Sequence, residues 1–195
     1  MAGPKRLVVG ISGASGAVLG IELLQALQLI PGWETHLVVS NGARRTIALE
    51  TSRSMKEVAA LATRFHPVED VGALIASGTF KTCGMVVVPC SMKTVAGIAS
   101  GYSDNLLLRA ADVTLKERRR LVLVPRETPL GPVHLRNLLA ASELGAVILP
   151  PVLTFYNQPT SIEDMTRHIV GRILDVFDLE LPGFRRWGET PNPSS

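Results

Sequence analysis

Cysteine and aromatic residues are both scarce in this 195-residue chain, which has two cysteines and an aromatic content of 5%. The spacing of Cys83 and Cys90 fits no zinc-binding pattern. We expect both thiols to be reduced and the protein to be cytoplasmic. The HExxH, CxxC and nucleophile-elbow motifs are absent, which disfavours metal-dependent and acyl-transfer chemistry and predicts no metal site. The histidines also lack the spacing of metal ligands: His36, His66, His134 and His168.

Long hydrophobic runs are absent as well. No segment approaches the roughly 20 uninterrupted apolar residues that a membrane span requires, so we expect no span. Lys5 and Arg6 precede only a short apolar run broken by glycines, so we expect no signal peptide. Nevertheless 46% of the residues are hydrophobic, and the mean hydropathy is +0.26. We therefore expect the surplus apolar surface to contact other subunits.

The charges of the chain are nearly balanced, with a formal net charge of +3. This excess favours anionic ligands only mildly. The chain has no basic tail and no interleaving of basic and aromatic residues, so we expect no nucleic-acid partner. Glu117 interrupts the basic run at residues 116–120, and a helix end that enters a strand explains this run equally well.

Short apolar runs alternate with helical patterns along the chain. The runs predicted to be strands are 7–9, 36–39, 85–88, 121–125 and 146–149. The predicted helices are 17–29, one that ends at residue 49, 54–62, 92–99, 105–117, 133–144 and 162–177. Segment 64–81 has no clear period and is expected to be irregular. The alternation predicts a doubly wound parallel sheet in a single domain, 1–195, in which 178–195 form a tail that could pack on a neighbouring subunit.

The first predicted strand leads into a glycine-rich loop, GISGASG, at residues 10–16. Glycines allow a tight turn and a close approach to a ligand, and we expect the following helix to point its free N–H groups at an anion. The glycine spacing differs from the dinucleotide fingerprint, and the second predicted strand ends in Ser40 and Asn41 rather than in an acidic residue. Both features favour a mononucleotide such as FMN over NAD.

Hydroxyl-bearing residues begin the helices that follow three of the predicted strands. They are Ser12 with Ser15, Ser40, and Ser91 with Thr94. Each could be a simple helix cap. Adjacent parallel strands would bring these strand ends together, so we interpret their convergence as a site for a phosphate-bearing ligand.

Arg126 and Glu127 follow directly after the apolar run 121–125. In open α/β sheets, the carboxyl edge of the sheet is where ligands bind. A permanent cation beside a proton-exchanging carboxylate suits an anionic substrate that gains or loses a proton. A surface ion pair is the alternative interpretation.

Three further residues are candidates of a weaker kind. Glu50 ends the second predicted helix, Tyr156 lies in the loop after the fifth predicted strand, and Arg172 lies in the last predicted helix. The residues alone are equally consistent with a solvated helix end, a loop aromatic that covers the core and a solvated helix face.

Eight segments, in order along nearly the whole chain, resemble one known family. They are GASGA (13–17), Ser40 with ALET (48–51), ASG (76–78), VVVPCSMKT (86–94), RAADVTLKERR (109–119), LVLVPRE (121–127), FYNQP (155–159) and RRWGE (185–189). The family is that of the UbiX-type flavin prenyltransferases. The resemblance is strongest to the branch of the family named after phenolic or hydroxyaromatic acid decarboxylases.

The resemblance implies a flavodoxin-like α/β subunit that assembles into dodecamers and binds FMN. It also implies a metal-independent transfer of a dimethylallyl group from dimethylallyl phosphate to reduced FMN, with ring closure between flavin N5 and C6. The product, prenylated FMN, is the cofactor of a separate UbiD-type decarboxylase. The residues are compatible with a monophosphate or a diphosphate donor.

The resemblance further implies roles for individual residues. The FMN-contacting positions are Gly13, Ala14, Ser15, Ser40, Ser91, Met92, Lys93, Thr94 and Arg126. The positions that grip the substrate phosphate, contributed by more than one subunit, are Ser77, Gly78, Arg109, Lys116, Tyr156 and Arg172. Trp187 is implied to lie near the allyl group of the substrate, and the catalytic positions are Glu50, Glu127 and Ser15. Many family members have glycine where this chain has Lys93, which could alter the contact with the flavin.

Two other functions remain as alternatives. A flavin-dependent cysteine-peptide decarboxylase would carry a PASANT-like segment at 89–94 and an early histidine base, and this chain has neither. A non-catalytic FMN-binding subunit of an aromatic acid decarboxylase would bind FMN without forming product. That subunit would have no need of the phosphate-gripping set, so the joint presence of the set argues against it.

Overall fold

A single parallel sheet organises the chain, which a computed structural model describes over residues 4–188. Within those residues the sheet has six strands: β1 (Lys5–Ile11), β2 (Trp33–Val39), β3 (Arg64–His66), β4 (Gly84–Cys90), β5 (Arg120–Pro125) and β6 (Val147–Ile148). Their order is β3-β2-β1-β4-β5-β6, and every neighbouring pair is parallel. The central strands are almost wholly apolar because helices cover both faces of the sheet. The predicted doubly wound, flavodoxin-like sheet is confirmed.

Seven helices flank the sheet within the described residues. They are α1 (Ala17–Gln28), α2 (Asn41–Glu50), α3 (Met55–Ala60), α4 (Met92–Ala99), α5 (Leu106–Lys116), α6 (Pro132–Glu143) and α7 (Ile162–Val176). One core layer contains side chains of α1, α2, α3 and α7, and the other contains side chains of α4, α5 and α6. Leu23 of α1 and Leu107 of α5 are both fully buried and represent the two layers. No helix among residues 4–188 is long and apolar enough to cross a membrane.

The expectation that segment 64–81 is irregular is wrong in two places. Arg64–His66 forms β3, which pairs with β2, and Leu74–Ala76 forms a short 3-10 helix. The strand is only three residues long and ends in a histidine, so it lacks the apolar run by which strands are predicted. His66 can be buried because His36 satisfies its ring nitrogen: His36 Nδ1 lies 2.9 Å from His66 Nε2.

The described part of the C-terminal tail packs on α7 of its own chain. The Phe184 ring lies 5.1 Å from the His168 ring, and Arg186 Nη2 lies 2.9 Å from Asp175 Oδ1. Residues 189–195 of the predicted tail lie outside the described residues. Packing of the tail on a neighbouring subunit stays a prediction.

The buried histidine pair predicts a dependence of stability on pH. Burial lowers the pKa of His36 to about 4, and the neighbouring His66 acts in the same direction; burial also lowers the pKa of His66. Between about pH 4 and the ordinary value near 6.5, the unfolded chain therefore binds more protons than the folded chain. The contribution of the two neutral histidines to the free energy of unfolding is fully present above about pH 6.5, and it is lost as the pH falls towards about 4.

We expect His36 to contribute roughly 1–3 kcal/mol of this loss. The measurement is urea unfolding at several pH values between 4 and 7, for the parent and for His36→Gln. The variant should show a shallower dependence on pH, and equal slopes for the two proteins would contradict the prediction.

Candidate active site

The carboxyl ends of β2, β1 and β4 lie side by side, and a helix starts after each of them. Ser40 caps α2, where its Oγ accepts a hydrogen bond from Ala43 N at 3.1 Å. Ser91 caps α4, where its Oγ accepts from Thr94 N at 3.3 Å and lies 3.1 Å from Thr94 Oγ1. The predicted convergence of hydroxyl-bearing helix starts is confirmed for Ser40 and Ser91 but not for Ser12 and Ser15, because α1 has Gly16 as its N-cap and no side-chain cap.

A cavity of about 520 Å³ opens between these helix starts and the start of α5. The predicted cofactor residues that line it are Gly13, Ser40, Ser91, Lys93 and Thr94. Ala14 and Met92 are buried nearby and do not line the cavity. Sequence reasoning missed Glu69, Asp104 and Asn105, which also line it. Their only sequence signal was that Asn105 precedes a helix, as a cap would.

Gly13 is required because the glycine loop touches the start of α2. A Cβ atom built on Gly13 would lie 2.9 Å from the Cα atom of Gly42. Real Cβ atoms do not approach a backbone atom so closely, so any other residue at this position would push the loop away from α2. The two glycines thus keep the loop after β1 close to one wall of the cavity.

Ser12, which the sequence placed among the hydroxyl groups of a phosphate site, instead joins the first loop to the third. Its side chain is buried, with 1% of its surface exposed. Its Oγ donates to the Pro89 carbonyl at 3.1 Å and accepts from Ser91 N at 2.7 Å. The hydroxyl therefore fixes the position of the α4 cap relative to β1. The available signal was a hydroxyl directly after a fully buried strand.

Glu50, although distant in sequence, caps the N-terminus of α1. Its Oε2 accepts hydrogen bonds from Gly16 N and Ala17 N, both at 2.9 Å. Partial burial acts to raise the pKa of the Glu50 carboxyl, but the hydrogen bonds that it accepts outweigh burial and hold the pKa below its ordinary value. The Ser15 hydroxyl and the charge of Arg126 act in the same direction. The expectation that α1 offers free N–H groups to a ligand is therefore wrong, because the chain's own carboxylate uses them.

Arg126 and Glu127 do not form the surface ion pair that was the alternative interpretation. Among residues 4–188, no ion pair joins them; Arg126 Nε instead donates to the Ser15 carbonyl at 3.4 Å. Glu127 is exposed, and its Oε1 accepts from Thr128 N at 3.1 Å. Arg126 is thus directed to the loop that carries Ser15, beside Glu50.

The predicted phosphate-gripping residues do not lie together in one chain. Arg109 is in the first turn of α5, near the cavity, and its Nη1 pairs with Asp112 Oδ2 at 2.7 Å. Lys116 is the last residue of α5, about 10 Å further along the helix axis. A Cβ built on Gly78 would lie 3.1 Å from Lys116 Nζ, so Ser77, Gly78 and Lys116 are neighbours. They lie at the edge where β5 begins, opposite the cavity.

Tyr156, Arg172 and Trp187 form a third group, beyond β6. The Tyr156 hydroxyl lies 3.3 Å from His168 Nε2, and the Tyr156 and Trp187 rings are 5.1 Å apart, edge to face. Tyr156, His168 and Arg172 line a second cavity of about 410 Å³. Burial lowers the pKa of His168, and the charge of Arg172 adds to this effect. A neutral His168 can donate a hydrogen bond to the Tyr156 hydroxyl or accept one from it, and it carries no positive charge that would attract an anion in place of Arg172.

The fold and the first cavity together define a class of protein. A parallel α/β sheet whose helix starts, capped by hydroxyl groups, surround a cavity at the carboxyl edge is the arrangement of a flavodoxin-like nucleotide-binding protein. A family model described as Flavoprotein matches residues 1–175 of the chain. No three His, Cys, Asp or Glu side chains are grouped to hold a metal ion within the part of the chain that the structure describes.

Individual relatives with high sequence identity show which flavoprotein family the chain belongs to. A probable UbiX-like flavin prenyltransferase from Streptomyces sp. (strain D7) is 58% identical over 182 residues, 93% of this chain and 91% of that protein. The dodecameric FMN-dependent UbiX-like decarboxylase from Escherichia coli O157:H7 superposes with a TM-score of 0.93 at 55% identity, covering 94% of this chain and 100% of that one. AnUbiX (PadA1), solved with FMN and dimethylallyl pyrophosphate, has a TM-score of 0.93 at 52% identity, with coverages of 96% and 100%. The chain belongs to the family of UbiX-like flavin prenyltransferases, as its eight segments predicted.

The Ser12 bridge generates a prediction about local stability. In Ser12→Ala the Ser91 N–H loses its acceptor, while the Pro89 carbonyl keeps the backbone N–H of residue 12; an unsatisfied buried polar group costs about 1–3 kcal/mol. We expect the free energy of unfolding to fall by that amount and hydrogen exchange at the Ser91 amide to accelerate. The control is Ser142→Ala, which removes an exposed hydroxyl on α6. Unchanged exchange at Ser91 would show that the bridge does not hold the α4 cap.

Proposed function

We propose that the 520 Å³ cavity at the carboxyl edge holds FMN and that the chain transfers a dimethylallyl group from dimethylallyl phosphate to N5 and C6 of reduced FMN. The product would be prenylated FMN for a UbiD-type decarboxylase, and the site of action the cytoplasm. One observation carries the proposal: three neighbouring strands end at one cavity, around which lie the Ser40 and Ser91 caps and Lys93. The complex of AnUbiX with FMN and dimethylallyl pyrophosphate supports it.

The residues at the cavity fit the phosphate of FMN. The starts of α2 and α4 present backbone N–H groups, which favour an anion. The Ser40 hydroxyl accepts a hydrogen bond from its own helix and keeps its proton free to donate to a phosphate oxygen; Ser91 and Thr94 share one hydrogen bond, which leaves one of their two hydroxyl protons free. Lys93 lines the same cavity and adds a full positive charge. The α1 start, already neutralised by Glu50, is left to the uncharged part of the flavin.

When bound, reduced FMN supplies the nucleophilic nitrogen and carbon of the reaction. The protein must then stabilise the departing phosphate, and cationic side chains do this best in a site from which water is excluded. The proposed set for this role is Ser77, Gly78, Arg109, Lys116, Tyr156 and Arg172. Trp187 offers an aromatic face that tolerates positive charge on the allyl group.

Proton handling falls in this proposal to Glu50, Ser15 and Glu127. Glu50 is held ionised by its hydrogen bonds, so it can accept a proton or stabilise positive charge at the flavin. Ser15 connects Glu50 to the loop that Arg126 contacts. Glu127 is exposed within a single chain, so it is free to meet the leaving phosphate there.

The site is complete only when several copies assemble, so we infer a homo-oligomer. We propose that it is a dodecamer, as is the E. coli O157:H7 relative. Lys116 and Ser77 lie at the sheet edge opposite the cavity of their own chain, so they can serve only the cavity of another. A surface for such contacts is present on α6, where Val133, Leu135 and Leu139 are 61%, 54% and 60% exposed. Apolar exposure of this extent along one helix is typical of a subunit contact.

The functional test is anaerobic incubation of the protein with reduced FMN and dimethylallyl phosphate, with the flavin product weighed by mass spectrometry. The parent should yield a flavin heavier by one dimethylallyl group. Recovery of unmodified FMN would instead identify a non-catalytic FMN-binding subunit.

Glu50→Gln and Glu127→Gln should bind FMN nearly as tightly as the parent yet lose turnover by about 10²-fold or more. Both changes keep the shape of the side chain and remove its proton-exchanging group. Glu163→Gln on α7, which lies in none of the three groups, is the matched control and should keep parental turnover. If both variants also keep parental turnover, the proton-handling roles are wrong.

Sedimentation should show a particle larger than a dimer at micromolar concentration. Leu139→Asp buries a charge in the proposed α6 contact and should shift the protein to smaller species, because an unpaired buried charge costs several kcal/mol. Leu29→Asp, at a leucine that is 75% exposed at the end of α1, should not. A monomeric parent would contradict the proposed assembly.

A further inference from the structure

Arg119 holds the turn that carries Ser77 and Gly78. Its Nη2 donates to the Gly78 carbonyl at 2.6 Å, and its Nη1 donates to the Phe80 carbonyl at 2.9 Å and to Thr82 Oγ1 at 3.4 Å. The side chain is only 11% exposed. A guanidinium with donors in a fixed plane can hold several acceptors at once, so the conformation of this turn depends on one side chain.

Glu117 divides its carboxylate between two cations. Its Oε1 lies 3.0 Å from Lys116 Nζ, and its Oε2 lies 3.7 Å from Arg119 Nη2. Lys81 also contributes positive charge at Glu117. Three cations therefore surround one carboxylate, and the cluster keeps an excess of positive charge that an external anion could neutralise.

Gly78 brings the turn directly onto this cluster. A Cβ atom at Gly78 would overlap the Glu117 carboxylate and lie 3.1 Å from Lys116 Nζ. The backbone of the turn thus lies against the pair that Lys116 forms with Glu117. A phosphate that Lys116 binds here shares the ammonium group with the Glu117 carboxylate, whose charge repels it, and must fit the turn that Arg119 holds.

We propose that Arg119 and Glu117 are positioning residues for phosphate binding at Lys116: Arg119 fixes the Ser77–Gly78 turn, and Glu117 holds Lys116 in place while competing with the phosphate for it. The inference rests on the proposed function, which gives Lys116 a phosphate to bind. It adds two residues that touch neither the flavin nor the substrate and that act in opposite directions.

The opposite signs follow from the contacts. In Arg119→Gln the Gly78 and Phe80 carbonyls lose their donor and the cluster loses a cation, so phosphate binding should weaken, by about tenfold. In Glu117→Gln, Lys116 keeps a neutral neighbour and loses its anionic competitor. Exposed ion pairs are weak, so phosphate binding should strengthen by only about two- to fivefold. A purely structural network would weaken binding in both variants.

The experiment uses the assembled, FMN-loaded protein with inorganic phosphate as the probe. Its dissociation constant is measured by calorimetry, and its inhibition constant is measured in the prenylation assay beside the KM for dimethylallyl phosphate. Arg119→Gln should raise all three constants and Glu117→Gln should lower them. The affinity for FMN should change by less than about twofold in both, because neither residue touches the flavin in this proposal.

Two further variants keep the test decisive. Arg118→Gln removes a neighbouring exposed arginine whose side chain is not among the donors that hold the turn, and it should leave phosphate binding unchanged. Arg119→Lys keeps the charge without the planar donors, so it should bind phosphate more weakly than the parent. If Arg119→Gln does not fold, Glu117→Gln decides: tighter phosphate binding supports the inference, and unchanged or weaker binding overturns it.

The outcomes separate the inference from the function on which it rests. A parent that makes prenylated flavin while both variants shift phosphate binding in the same direction, or not at all, keeps the proposed function and overturns the inference. A parent that makes no product while phosphate binding shifts with opposite signs removes the proposed function. In that case the positioning roles stand for an anion site alone.

Discussion

The parallel pairing of β1 with β2 on one side and with β4 on the other is the constraint on which the candidate site depends. Ile11 pairs with Val39 and Gly10 pairs with Val87, so the three strands end almost level. Parallel strands end at the same edge of a sheet, and the three following helices must therefore start side by side. The backbone hydrogen bonds of the parallel pairs, together with apolar burial on both faces, set this arrangement. Ser12 then fixes the spacing of the first and third loops, so that the buried strands and the polar edge are parts of one structure.

The three helix starts at this edge are electrostatically unequal. The Glu50 carboxylate occupies the start of α1, and its hydrogen bonds there lower its pKa and its strength as a base. The starts of α2 and α4 carry only neutral caps, with Lys93 beside them. The starts of α2 and α4 thus favour a phosphate through their backbone N–H groups and Lys93, while Glu69 and Asp104 line the same cavity; the start of α1 holds a fixed negative charge that can stabilise positive charge. A flavin phosphate at one side and an allyl group at the other match this division in the proposed reaction.

The sequence was sufficient for the sheet, the helices and the convergence of Ser40 and Ser91, because apolar runs and helix caps are local patterns. It was not sufficient for β3, whose buried histidine is compensated by a partner 30 residues away. Nor could it show that Glu50 reaches the start of α1, since that contact joins residues more than 30 positions apart. Ser12 was visible as a hydroxyl after a strand, but its two partners depend on the path of β4. Long-range polar contacts are the part of the site that composition and periodicity do not specify.

Helix α5 explains why the proposed site requires more than one copy. A helix between two parallel strands runs back from the carboxyl edge to the amino edge, so Arg109 begins near the cavity and Lys116 ends at the opposite edge. No side chain spans that distance, so in the proposed assembly a neighbouring chain presents its amino edge to the cavity. Subunit contact then also excludes water, which strengthens the attraction between cations and phosphate. In the proposed site flavin binding depends on one chain and phosphate binding on more than one, so dissociation of the assembly should remove activity before it removes the flavin.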